Sequence, residues 1–230
     1  MTPKPVRFAV DETHCVSGLL LAPRGARACY VLAHGAGAGM THPFMAGIAD
    51  GLVDRGIASL RYQFPYMEQA SKRPDAPRLA QATVRAAAAE AATLVPKRPL
   101  VAGGKSFGGR MTSQAQAESP LPGVRGLAFL GFPLHAAGRP SDERAAHLLE
   151  VKIPMLFLQG TRDALADIAL MRKLARGLSK RATLVAIEDG DHSFRVPGRT
   201  GRNDAEVRAE MLDALTGWID AVILPANRRS

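Results

Sequence analysis

Apolar runs too short to be helices recur along this 230-residue chain, and stretches of helical period separate most of them. That alternation is what a parallel sheet with crossover helices requires, because parallel neighbours need a long return connection. Strands are expected at Phe8–Val10, Val16–Leu21, Ala28–Ala33, Ala58–Tyr62, Leu100–Ala102, Gly126–Leu130, Met155–Gln159 and Leu184–Ile187. The central ones are apolar almost without interruption, as strands covered on both faces should be. Helices are expected at Met45–Arg55, Ala76–Leu94, Phe107–Ala117, Leu165–Leu178 and Asp204–Ala221, the last opening on Asn203-Asp204 and stopping at Pro225. The fold class is therefore α/β, with a mostly parallel central sheet flanked by helices on both faces. No repeat and no linker divides the sequence, so residues 1–230 read as one domain.

Composition removes several classes of function. Hydrophobic residues make up 47% and charged residues 22%, which is ordinary for a globular chain. No apolar run reaches the roughly 18 residues of a spanning helix, and the N-terminus Met1-Thr-Pro-Lys-Pro-Val-Arg-Phe has no signal-peptide core. Two cysteines, Cys15 and Cys29, make no disulfide framework. A cytoplasmic protein without membrane attachment is the expectation. The net charge of +9 raises nucleic acid as a partner. The arginines are scattered, however, the densest C-terminal cluster is only Arg228-Arg229, and aromatic residues stand at 5%. Neither an RNA-binding signature nor zinc-ligand spacing occurs, so a solvated basic surface is preferred, with a taste for anionic substrates or partners as the alternative.

The chemistry concentrates in Gly104-Lys105-Ser106-Phe107-Gly108. A strand, Pro99-Leu-Val-Ala, enters this G-x-S-x-G pattern and a helix leaves it. A nucleophile elbow needs small residues two before and two after its serine, since the strained turn brings backbones close. Gly104 and Gly108 meet that need, and the helix start favours negative charge developing at Ser106. Gly104-Lys105-Ser106 also contains the G-K-S of a phosphate loop, but the glycine that motif requires five positions earlier is Pro99. A serine nucleophile needs a base, and His192 follows the strand ending at Ile187, on the same sheet edge as the elbow. The base needs a carboxylate. Asp163 in Gly160-Thr-Arg-Asp163 is the first choice. Asp167, expected inside the next helix, and Asp191, beside His192, are the substitutes. The order Ser106, Asp163, His192 is that of nucleophile-elbow enzymes and not of the other serine proteases.

His34-Gly35-Ala36-Gly37-Ala38-Gly39 follows the third strand and leaves backbone N–H groups free, so Ala36 and Phe107 N–H are the candidate oxyanion hole. His34 is expected to be structural, at the base of that loop. Phe44, Phe64 and His135 are assigned to the substrate pocket, with Met45, Tyr66 and Met67 as further wall residues. For the Phe, Tyr and Met residues core packing is the preferred expectation over the pocket, and His135 is expected to be structural or substrate-facing rather than a base.

Together "LAHGAGAGMTHPFM", "GGKSFGGRM", "LGFPLH", "LQGTRD" and "DGDHSF" resemble the α/β-hydrolase superfamily, in particular the capless KANL/Tex-like branch with dienelactone-hydrolase-like neighbours. The resemblance spans nearly the whole chain. It implies an α/β-hydrolase fold and a serine hydrolase that cleaves an ester-like acyl bond through Ser106, Asp163 and His192. Neither a metal nor an organic cofactor is implied, and the expected partner is a small acyl substrate. Dienelactone hydrolases proper carry cysteine where Ser106 stands, so their substrate is not carried over. Caps in such enzymes are inserted where this chain has only residues 131–150, room for a loop and one short helix. The alternatives are a non-catalytic α/β-hydrolase-like scaffold, or a thioesterase, peptidase or acyltransferase using the same residues.

Overall fold

A computed structural model describes residues 1–224; Pro225 and the Arg228-Arg229 pair lie outside the described residues. Eight strands form one sheet: β1 Lys4–Ala9, β2 Cys15–Leu21, β3 Cys29–Ala33, β4 Ala58–Tyr62, β5 Leu100–Lys105, β6 Val124–Leu130, β7 Met155–Gly160 and β8 Ala182–Ile187. Their spatial order is β1-β2-β4-β3-β5-β6-β7-β8. β2 runs antiparallel to both β1 and β4, and every later pairing is parallel. The all-apolar centre of the sequence explains this arrangement: every residue of β3 and every residue of β7 is buried. At the edge, β1 buries only Phe8, so its start at Lys4 leaves no apolar pattern to read.

The helices are α1 Pro43–Asp54, α2 Pro65–Glu68, α3 Pro77–Leu94, α4 Phe107–Glu118, α5 Ile168–Leu178 and α6 Asp204–Trp218. Local chemistry sets their starts. Proline occupies the first turn of α1, α2 and α3, where its missing N–H costs nothing. α6 opens on a reciprocal capping box between Asn203 and Glu206. α5 begins at Ile168, later than expected, because Asp167 is its N-cap and accepts from Ala169 N and Leu170 N.

Two apolar layers clothe the sheet. One face carries α3, α4 and α5 over residues such as Val31, Ala102, Phe129 and Phe157. The other carries α1 and α6 over Tyr30, Leu32, Leu130 and Leu158. Between β6 and β7 only a 3-10 helix, Glu143–Leu149, interrupts the connection, so no cap domain is inserted there. Among the described residues no helix is long and apolar enough to cross a membrane.

Candidate active site

β5 ends in a turn that ordinary residues rarely make. Ser106 sits at φ 48, ψ −114, a strained conformation held between β5 and the first turn of α4. The flanking glycines show what holds it. A Cβ on Gly104 would lie 2.1 Å from Ala33 O, and one on Gly108 would lie 2.5 Å from His34 O. Both glycines are required because the elbow is wedged against the end of β3.

His192 stands on the loop after β8. Its Nε2 lies 2.9 Å from Ser106 Oγ and its Nδ1 lies 2.7 Å from Asp163 Oδ2. An ionised carboxylate only accepts, so Nδ1 carries the proton and Nε2 is left to accept from the serine hydroxyl. Asp163 follows β7 with its side chain fully buried. Gln159 Nε2 donates to its Oδ2 at 2.6 Å and Leu165 N donates to its Oδ1 at 2.7 Å. Gln159 is itself fixed by Phe132 N. The carboxylate therefore has no freedom to turn away from His192.

The substitutes for Asp163 are committed elsewhere. Asp167 caps α5. Asp191 Oδ1 accepts from Ser193 N and Arg195 N within its own loop. A second serine–histidine contact, Ser113 Oγ to His147 Nε2 at 2.8 Å, joins α4 to the 3-10 helix. There the serine proton goes to Arg110 O, so the imidazole donates to the hydroxyl and does not draw a proton from it. Ser113 is fully buried and His147 bonds to no carboxylate among the described residues, so the pair is a packing contact.

Ala36 and Phe107 both border Ser106's surroundings with N–H groups that meet no acceptor among the described residues. The glycine loop carrying Ala36 is pinned from the β4–α2 side: Gly37 N donates to Tyr66 Oη, and Met40 N to Gln63 Oε1. His34 is fully buried at the loop's base, accepts from Phe64 N on Nε2 and donates through Nδ1 to Gly35 O. Burial pushes its pKa down to about 4.

Ser106 and His192 open onto a cleft of about 740 Å³ between α1, α6 and the loop after β8. Phe44 and Met45 line it, with Phe44 stacked on Phe194 at 6.0 Å. Phe64 does not: it is fully buried among His34, Tyr62, Tyr66 and Phe107, where the aromatic run after β4 turns inward. Neither Tyr66 nor Met67 reaches the cleft. His135 does not line the cleft either: its ring is buried and accepts from Asp167 N while bonding Ala136 O.

Lys105 is the residue that spacing alone does not reveal. Its Nζ donates to His192 O at 2.6 Å and lies 5.6 Å over the Phe194 ring. Burial pushes its pKa down to about 8, against the opposite pull of Asp163 and Asp191.

Known proteins share this frame. The lidless α/β serine hydrolase of Xanthomonas campestris is 20% identical, with 95% of each chain covered and a TM-score of 0.71. A dienelactone hydrolase from Anabaena variabilis is 21% identical over 96% of this chain and 99% of that one, at a TM-score of 0.75. An esterase domain from a Rhodothermus marinus protein is 17% identical over 97% and 100%, at 0.73. At these identities the likeness is one of fold. A family model described as an alpha/beta hydrolase domain matches residues 26–220, most of the chain, and the chain belongs to that family.

Proposed function

We propose that this protein is a serine hydrolase that cleaves an ester-like acyl bond through an acyl-enzyme intermediate. One observation carries the reading: a single imidazole bridges Ser106 Oγ and the buried Asp163 carboxylate, at the mouth of a cleft. His192 Nε2 takes the Ser106 proton as Oγ attacks the carbonyl carbon, and Asp163 stabilises the imidazolium. The tetrahedral oxyanion rests on Ala36 N–H and Phe107 N–H, each worth on the order of 10²–10³ in rate. Collapse expels the alcohol with the proton from His192. Water then attacks the acyl-Ser106 carbonyl, giving its proton to His192, and the acid leaves as Ser106 recovers the proton. The esterases among proteins of like fold support the choice of an ester over other acyl bonds.

Labelling by a fluorophosphonate probe tests this. The wild type is expected to take up one equivalent, while Ser106→Ala and His192→Ala take up none. Turnover of an activated ester should fall by about 10⁴-fold or more in each variant. A folded wild type that resists the probe would defeat the proposal and leave the scaffold reading standing.

A further inference from the structure

The wall of the cleft is not neutral. Arg195 and Arg208 line it from two different elements, the loop after His192 and helix α6, and Lys105 lines it beside Ser106. Asp204 is the one acidic residue in that wall. Among the described residues neither arginine forms a side-chain hydrogen bond or an ion pair. Asp204 stands one turn before Arg208 without pairing to it, and Asp50 and Asp54, across the groove between α1 and α6, do not pair with it either. Arg208 is nevertheless placed: its side chain lies across Gly47 of α1, where a Cβ would come within 3.2 Å of Cδ. The backbone of Arg195 is fixed by Asp191, whose Oδ1 accepts from its N–H at 2.9 Å, while its side chain is exposed at the cleft wall.

Phe44, Met45, Phe194, Val207 and Met211 give the cleft an apolar portion, with His42 and Ser193 as further polar lining besides the site serine and histidine. A cleft with apolar walls and an excess of one charge concentrates its field on an incoming ligand. Guanidinium groups bind carboxylate oxygens with two parallel hydrogen bonds.

Building on the hydrolase reading of Ser106, we propose that the substrate is an anionic ester: an apolar body with a carboxylate that Arg195 and Arg208 receive while Ser106 attacks the ester carbonyl. The arginines set specificity, and Lys105, whose ammonium is held by His192 O, adds positive field near the reacting atoms. No further reactant is needed, since the hydrolytic step is the one already described.

Two matched pairs of esters test the proposal, one placing the charge on the acyl part and the other on the leaving group. They are mono(4-nitrophenyl) adipate against 4-nitrophenyl hexanoate, and 4-carboxyphenyl hexanoate against phenyl hexanoate. In at least one pair the anionic ester is expected to have a kcat/KM about tenfold or more above its neutral twin. That ratio should collapse towards unity in Arg195→Gln/Arg208→Gln, and should shrink as ionic strength rises from roughly 20 to 500 mM. Equal or better turnover of the neutral ester in both pairs overturns the proposal, as does a ratio that the double variant leaves intact. If no ester is turned over, the hydrolase reading fails separately, and binding decides the anionic site. By calorimetry on Ser106→Ala, monomethyl adipate should bind about tenfold tighter than dimethyl adipate; equal binding would reject the site.

Discussion

Lys105 occupies the variable position before the serine, and its side chain ties two distant parts of the site together. β5 delivers Ser106, the loop after β8 delivers His192, and the Lys105 ammonium spans the two by donating to His192 O at 2.6 Å. The loop itself is stiffened by Asp191, whose carboxylate caps Ser193 N and Arg195 N. In the proposed mechanism a displacement of about 1 Å between Ser106 and His192 is enough to cost on the order of 10²-fold in rate. Lys105→Met keeps the length and apolar stem but removes the donor, leaving the His192 carbonyl without its partner. We expect kcat to fall by about 10–100-fold with little change in KM, while thermal unfolding shows the variant folded. Steady-state kinetics on an activated ester reads this directly. An unchanged kcat would mean that the lysine serves only to fill space.

At the scale of elements, the site is a meeting of strand ends, and His34 holds two of them. It sits where β3 passes into the glycine loop and accepts from Phe64 N after β4, so its ring must stay neutral on Nε2. Its folded pKa of about 4 lies below the roughly 6.5 of an unfolded histidine. Between those values the unfolded chain binds a proton that the folded one refuses, so stability falls as pH drops from about 6.5 to 4. For His34 the full effect is on the order of 3 kcal/mol. His147, also pushed down to about 4 by burial and by Arg110, acts in the same direction. Denaturant unfolding at pH 7 and pH 4.5 should show this loss, and His34→Gln should lose less over the same interval. Equal losses in both proteins would contradict the assignment.

The same scale explains what the sequence disclosed. Ser106, Asp163 and His192 each follow a strand whose apolar run is plain, so their common edge could be inferred before any geometry was known. Asp163 and Asp167 are told apart by where α5 begins, and that depends on a cap, not on periodicity. Phe64 stays open between pocket and core in the sequence, because an aromatic residue just past a strand end reads alike whether it turns inward or outward. Lys105 gave no signal, because its partner is a backbone carbonyl far along the chain, and carbonyls leave no trace in a sequence.

Over the whole molecule, the segment between β6 and β7 decides how substrate arrives. It lies down on α4 and does not rise over the cleft. Ala145 and Leu148 are buried, His147 bonds Ser113, and Arg181 donates to Leu149 O and Val151 O. The cleft is instead walled by α1, α6 and the loop after β8, and both helices are packed against the sheet through Ile48, Leu52, Met211 and Leu215. Enzymes with lids wait for a conformational step that exposes the site, and nothing in this wall resembles such an element. Hydrolysis should therefore follow the concentration of monomeric ester. With a 4-nitrophenyl ester series taken through its solubility limit, the rate is expected to level off where monomer saturates, with no upward break as aggregates form. A sharp rise at that limit would show that an interface opens the site, and would place a moving element over Ser106 that the packing of this segment argues against.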